Sequence, residues 1–317
     1  MDINDKQEDA EFSYFYIINY TAAEKELCLL EMKYLFNIIP LNKHFFSFHY
    51  VLPSRSAFIK QCISIIYSCS CVEELIEQIL EDNFASENFK VRYINFEENS
   101  ISYEQRRKIE YNIGYNICGE ANVHNPEVIF GVVNINGKWI FGVLEDNKNT
   151  WDKHNHKLYS YSNALNVRVA RALVNIASGN NMNLRLIDPC CGIGTVVIEA
   201  LSMGLNIKGY ELNPMIADNA KRNLEFFGYE DVITNGNMHE IEDKFDVAVV
   251  DLPYGVFTPV TLKEQLDIIK SSRKIAHKVI LITFENMEHY FEEAGFNVVD
   301  RCIIAKGTFI RYITICN

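Results

Sequence analysis

LRLIDPCCGIGTVVIEALSMGLNIKGYELNP, residues 184–214, holds a short apolar run ending on Asp188, a loop with glycines at 192 and 194, and an apolar stretch from Thr195 to Met203. A second run, IKGYE, ends on Glu211, and Asn213-Pro214 supplies a cap and a first-turn proline for the next helix. Strand, glycine turn, helix, strand is half of a doubly wound parallel sheet, which receives ligands beyond the carboxyl ends of its strands. The same alternation continues on both sides. Asn166 can cap a helix through about residue 178, and KFDVAVVD (244–251), KVILITF (278–284), NVVDRCIIA (297–305) and TFIRYITIC (308–316) read as strands, with helices near 260–277 and 286–294.

Upstream the pattern differs. FSYFYII (12–18) reads as a strand, and Thr21 to Glu24 has capping-box spacing before a helix with Leu27, Leu30 and Leu35 on one face. Helices are expected over 56–68 and 72–82, a strand over 89–96, and a helix capped by Ser102 and Gln105 that runs to Cys118. EVIFGVVNINGKWIFGVL (127–144) is a hairpin turning at Asn136-Gly137, a pair that tolerates positive φ. Residues 145–160 lose the apolar period and read as a linker; His154 and His156 there are expected to be solvated rather than a metal pair. The expected organisation is an N-terminal α+β region (1–145), a linker (146–160) and a C-terminal α/β domain (161–317).

At 317 residues the chain is long enough for two cores, and no apolar stretch approaches the roughly eighteen residues of a membrane span. The acidic, polar start MDINDKQEDAEF is unlike a secretory signal, which points to the cytoplasm. Nine cysteines form no CxxC pair and read as free thiols, and no metal is expected. The net charge of −12 is concentrated early: residues 1–150 hold 13 Lys and Arg against 22 Asp and Glu, which argues against a broadly basic nucleic-acid surface and leaves local patches.

Asp188, Glu211 and Asp251 each close an apolar strand, so one rim of the sheet carries three carboxylates. In DPCCGIGT the glycines let the backbone approach a ligand, but Val197 stands where a dinucleotide fingerprint needs Gly or Ala, and no Lys-Ser/Thr follows as in a P-loop. Glu211, 23 residues after Asp188, is placed to accept ribose hydroxyls. The implied ligand is a nucleoside with little or no phosphate, such as S-adenosylmethionine.

DPCCGIGT, GYELNP and DLPYG, in this order and spacing, resemble the class I S-adenosylmethionine-dependent methyltransferases, in the branch that methylates exocyclic amines through a (D/N)PPY motif. The resemblance implies a Rossmann-like methyltransferase sheet. It places Asp188, Cys190, Gly192 and Gly194 beside the methionine part of the cofactor, Glu211 on the ribose, and Asn237 and Met238 beside the adenine. Relatives usually carry Asp at the position of Asn237. The catalytic set it implies is Asp251, Leu252, Pro253 and Tyr254. An amine conjugated to a purine is a poor nucleophile and must be held in line with the methyl group. Asp251 can accept one N–H and the Leu252 carbonyl the other, Pro253 fixes the turn, and Tyr254 offers a ring for an extruded base. Leu252 departs from the motif's proline but keeps the carbonyl, with a wider φ range.

The upstream segments FKVRYINF, YEQRRKIEYNIGYNI and NPEVIFGVVNINGKWIFGVL are similar to the ferredoxin-like and THUMP regions of tRNA guanosine N2-methyltransferases acting at position ten. That resemblance implies guanosine N2 methylation on tRNA, with Arg106, Arg107 and Lys108, together with Lys90 and Arg92, as the phosphate contacts. N6-adenine methylation, or a silent cofactor- and RNA-binding module, are the alternatives the residues leave open.

Overall fold

The computed structural model describes residues 12–96, 100–161, 164–253, 260–306 and 309–317. They form two compact units that interleave along the chain: the described residues within 12–19, 41–53 and 59–148 in the first, and those within 20–40, 54–58 and 149–317 in the second.

The first unit is built on a six-stranded sheet of order β2-β1-β3-β6-β5-β4: β1 (Tyr14–Ile18), β2 (His44–Ser47), β3 (Ile59–Cys69), β4 (Phe89–Tyr93), β5 (Val128–Ile135) and β6 (Lys138–Asp146). Only β4 and β5 pair in parallel. The β5–β6 turn has φ of 52° at Asn136 and 88° at Gly137, the left-handed pair that the sequence requires there. α2 (Val72–Glu81) and α3 (Tyr103–Asn116) bury Leu75, Ile79, Ile113 and the flanking Ile117 against Phe89, Val91, Phe130 and Phe141.

Residues 59–69 correct the helix expected over 56–68. The pairing of β3 with β6 slips between Ile65 and Tyr67, which breaks the period of two that would mark a strand, while the β-branched residues Ile59, Ile63, Ile65 and Ile66 suit a pleated surface.

The second unit carries a seven-stranded sheet of order β12-β13-β11-β10-β7-β8-β9: β7 (Arg185–Asp188), β8 (Asn206–Glu211), β9 (Ile233–Asn235), β10 (Phe245–Asp251), β11 (Ala276–Thr283), β12 (Val298–Lys306) and β13 (Phe309–Cys316). Strands β7 to β11 run parallel, and β13 is antiparallel to both its neighbours. This is a doubly wound, Rossmann-like sheet with one antiparallel strand inserted beside β11. Ala248, Val250 and Leu252 pack with Ile268 and Ile269 of α7 (Leu262–Ile275) and with Phe291 of α8 (Glu288–Glu293). Alternation turns Val247 and Val249, also buried, to the other face, where α4 (Val167–Ser178) lies against β10. β7 leads to β8 on one side, while β10 returns on the other. The switch point of the sheet therefore falls between β7 and β10.

The interleaving departs from the boundaries expected at 145 and 161. α1 (Lys25–Phe36) belongs to the second unit because Lys33 and Tyr34 both bond the Asp300 carboxylate of β12, at 2.5 and 2.9 Å. Ser56 belongs there because its hydroxyl donates to buried Glu31 at 2.6 Å.

The stretch expected as linker contains a 3-10 helix, Thr150–His156. His156 is exposed, but His154 is only 1% exposed, with Nδ1 2.6 Å from Glu199 of α5 (Thr195–Ser202). Arg171 completes the group, with a guanidinium N–H 2.6 Å from the other Glu199 oxygen and a second N–H bond to the Ser54 carbonyl. The solvated state expected of His154 is therefore corrected: its partner lies 45 residues away.

Removing one member of such a buried set strands the others. Glu199→Ala is expected to lower the unfolding free energy by about 3–5 kcal/mol. Urea denaturation checks this, and an unchanged midpoint would contradict it.

Candidate active site

Asp188, Glu211 and Asp251 end β7, β8 and β10, three neighbouring strands, at the carboxyl rim beside the switch point. After Asp188 the chain turns at once. The Cys191 N–H donates to the Tyr210 carbonyl at 2.8 Å, which ties the loop to β8. Gly192 (φ 53°) and Gly194 (φ 82°) then take left-handed conformations, and Gly194 caps α5. A Cβ at Gly192 would meet nothing within 4 Å, so that face of the loop is open, whereas at Gly194 it would press on Leu224 Cδ1 at 3.3 Å.

The Glu211 carboxylate joins two loops. One oxygen accepts the Gly192 N–H at 3.1 Å and the other the Asn213 N–H at 2.8 Å. Each oxygen keeps a further lone pair, so the group can still receive a pair of hydroxyls. Asp188 is buried and accepts the Cys190 N–H at 3.2 Å. Burial pushes its carboxyl well above the usual carboxylate range, the Cys190 N–H opposes this, and the charges of Asp251 and Glu211 push it further. Burial also raises the Glu211 carboxyl. Burial and then the same carboxylates raise the Cys190 thiol, whose sulfur lies 3.7 Å from Met238 Sδ; it is a neutral packing group, not a nucleophile.

Met238 is buried, and Asn237 uses its side-chain oxygen to cap the turn that follows, accepting the His239 N–H at 3.1 Å. The rim thus gathers Asp188, Cys190, Gly192, Glu211, Asp251 and Met238. Partly buried negative charge beside an open glycine loop suits a cationic nucleoside: the carboxylates receive the charge and the hydroxyls, and the loop leaves room for the backbone to come close. S-adenosylmethionine fits these donors and acceptors.

Beyond Asp251 the motif is fixed by two bonds that its residue types do not announce. The Leu252 N–H, which a proline would lack, donates to the Ile282 carbonyl at 3.0 Å and extends the β10–β11 ladder by one residue. Leu252 itself is 1% exposed, so the wider φ range expected at this departure is taken up by pairing and burial. The Gln265 amide of α7 donates to the Pro253 carbonyl at 2.9 Å. Tyr254 lies outside the described residues.

Asn223 joins the site without having been expected there. Buried in α6 (Pro214–Phe226), it accepts the Tyr159 N–H and donates to the Tyr159 and Ile193 carbonyls, which holds the glycine loop from behind. A polar residue on the Ala217-Ala220-Leu224 stripe is its sequence signal.

The basic group expected in the first unit does not form one patch. Phe89, Val91 and Tyr93 face α3, so alternation turns Lys90 and Arg92 to the opposite side of the sheet. There Arg92 holds both Asp146 oxygens, at 3.1 and 2.8 Å, and the Lys90 ammonium donates to the Val123 carbonyl. Arg106, Arg107 and Lys108 remain together on α3.

Residues 155–266 match UPF0020, the RMKL-like methyltransferase domain. Over 215 residues the chain is 23% identical to the tRNA (guanine(10)-N2)-dimethyltransferase of Methanothermobacter thermautotrophicus, covering 65% of this chain and 64% of that protein. It is 30% identical over 151 residues to the tRNA (guanine(10)-N2)-dimethyltransferase of Pyrococcus abyssi, covering 45% of each. It is 26% identical over 257 residues to the tRNA (guanine(6)-N2)-methyltransferase of Methanocaldococcus jannaschii, covering 63% and 67%. The first two matches therefore span less than two thirds of those relatives' lengths.

Proposed function

Starting from a methyltransferase domain at residues 155–266, we propose that this chain is an S-adenosylmethionine-dependent methyltransferase acting on the exocyclic N2 amine of a guanosine in RNA, with tRNA as the substrate and the cytoplasm as its location. The observation that supports it most strongly is the meeting of Asp188, Glu211 and Asp251 at the switch point beside the open glycine loop.

When bound, S-adenosylmethionine supplies an electrophilic methyl group on a sulfonium. Asp188 and the 190–194 loop hold its methionine end, Glu211 accepts the ribose hydroxyls, and Asn237 and Met238 border the adenine. The Asp251 carboxylate accepts one N–H of the target amine and the Leu252 carbonyl the other, which withdraws the nitrogen lone pair from the ring and orients it. The ladder bond of Leu252 and the Gln265 bond to Pro253 keep both acceptors on a fixed backbone. From the sequence, Tyr254 stacks the extruded base, an interaction worth about 1–3 kcal/mol and so comparable to the cost of unstacking. The first unit is the RNA-binding region in this reading.

Cofactor affinity is expected to fall with pH. Glu211 and Asp188 accept hydroxyls and attract the sulfonium only when ionised, and their carboxyls lie above the ordinary values of 4.5 and 3.8. Affinity is therefore highest with both carboxylates ionised and is lost as pH falls through the raised range, by tenfold or more for roughly 1.5–3 kcal/mol of charge-assisted bonding. Calorimetry from pH 8 to pH 5 checks this; a flat affinity would contradict it.

Incubation with methyl-labelled cofactor and total RNA, followed by digestion to nucleosides, tests the function. Label in N2-methylguanosine is expected. Label in N6-methyladenosine, or none despite cofactor binding, would overturn it.

A further inference from the structure

The three most exposed Phe, Tyr or Trp side chains among the described residues, Tyr103 (67%), Tyr111 (68%) and Tyr115 (76%), all lie on α3 of the first unit. At about 100° per residue they fall within an arc of about 120° on one side of the helix, with Arg107 between Tyr103 and Tyr111. The Tyr111 and Tyr115 rings stack, with centroids 5.9 Å apart and planes 25° from parallel. The Arg106 guanidinium lies over the Tyr103 ring at 5.7 Å, Arg107 pairs with Glu110 at 2.7 Å, and Lys108 is exposed.

Keeping three large rings in water has no folding rationale, since none of them joins the cluster in which Ile109 and Ile113 anchor this helix. The remaining exposed side chains of α3 are Glu104, Gln105, Arg107, Lys108 and Asn112, and no aliphatic residue of the helix is exposed. A helix that docks on protein normally offers aliphatic anchors at i, i+3, i+4 and i+7. Rings interleaved with cations, in a region otherwise rich in acids, suit a partner with flat faces and negative charge.

We propose that the Tyr103-Tyr111-Tyr115 face of α3 is a stacking platform for an unpaired stretch of RNA, with Arg107 and Lys108 meeting its phosphates. Unpaired bases expose both faces and stack on aromatic rings whatever their sequence, whereas bases in a duplex offer only their edges. Twelve residues of helix separate Tyr103 from Tyr115, about 18 Å at 1.5 Å per residue, enough for a few nucleotides. The platform rests on the reading of this chain as an RNA methyltransferase and names the feature of the RNA that the first unit selects.

The test uses the full chain and a fluorescent single-stranded RNA octamer beside a hairpin duplex of the same length, with equilibrium binding as the readout. Tyr111→Ala and Tyr115→Ala are each expected to weaken octamer binding about tenfold and to leave duplex binding unchanged, and Tyr→Phe at either site to keep the affinity, because the ring stacks and the hydroxyl does not. Lys108→Glu is expected to flatten the salt dependence of octamer binding by about 0.7 for each phosphate that is no longer neutralised. Unchanged octamer affinity in both alanine variants, or equal weakening on the duplex, would overturn the platform. A fall in the sedimenting mass of the free chain on Tyr→Ala would overturn it too, by showing that a second copy covers the face. No methyl transfer is measured here, so failure of the platform and failure of the enzymatic reading are told apart.

Discussion

Asp251→Ala loses at least about a hundredfold in methyl-transfer rate while binding the cofactor within a few-fold of the parent chain. A misplacement of about 1 Å at a reacting centre already costs on that order, and here one of the two acceptors holding the amine is removed outright. The cofactor side is buffered by opposing effects. The Asp251 charge attracts a sulfonium, but it also pushes the buried Asp188 carboxyl up, so its removal leaves Asp188 more readily ionised. Neither the Leu252 N–H bond to Ile282 nor the Gln265 bond to Pro253 involves the Asp251 side chain, so the backbone of the turn persists. Single-turnover rates together with calorimetric affinities make the comparison. A rate near that of the parent chain would remove Asp251 from the chemistry.

Glu211→Ala gives the reverse pattern. Its carboxylate accepts the Gly192 and Asn213 N–H groups and, in the proposed complex, the ribose hydroxyls. Losing charge-assisted bonds of about 1.5–3 kcal/mol corresponds to roughly ten- to hundredfold weaker cofactor binding. The variant also frees two N–H groups at the edge of the loop, which loosens the segment meant to lie beside the ligand. With saturating cofactor the transfer rate recovers most of its value, because Asp251 and the Leu252 carbonyl are untouched. Calorimetry that returned an unchanged affinity would contradict the ribose role.

Much of the second unit is legible in the sequence because its signals are local. The apolar runs before Asp188, Glu211 and Asp251 have strand length, and Asn166 and Asn213 cap their helices with their side chains. The glycines at 192 and 194 stand where positive φ is needed. What escapes depends on distant partners or broken periods. β3 hides its period behind the slip at Ile65 and Tyr67. His154 looks solvated until Glu199 is brought to it, and Gln265 is an ordinary helical residue until the Pro253 carbonyl lies opposite. The division of the basic group is within reach of the sequence: Lys90 and Arg92 alternate with Phe89, Val91 and Tyr93, and a period of two already separates them from the face that packs on α3.

The most direct measurement of the central claim is a crystal structure of the chain with S-adenosylhomocysteine. The nucleoside is expected along the rim formed by Asp188, Glu211 and Asp251, with its ribose hydroxyls on Glu211, its adenine against Met238 and its sulfur turned toward Asp251. Density for the nucleoside at any other place on the chain would contradict it.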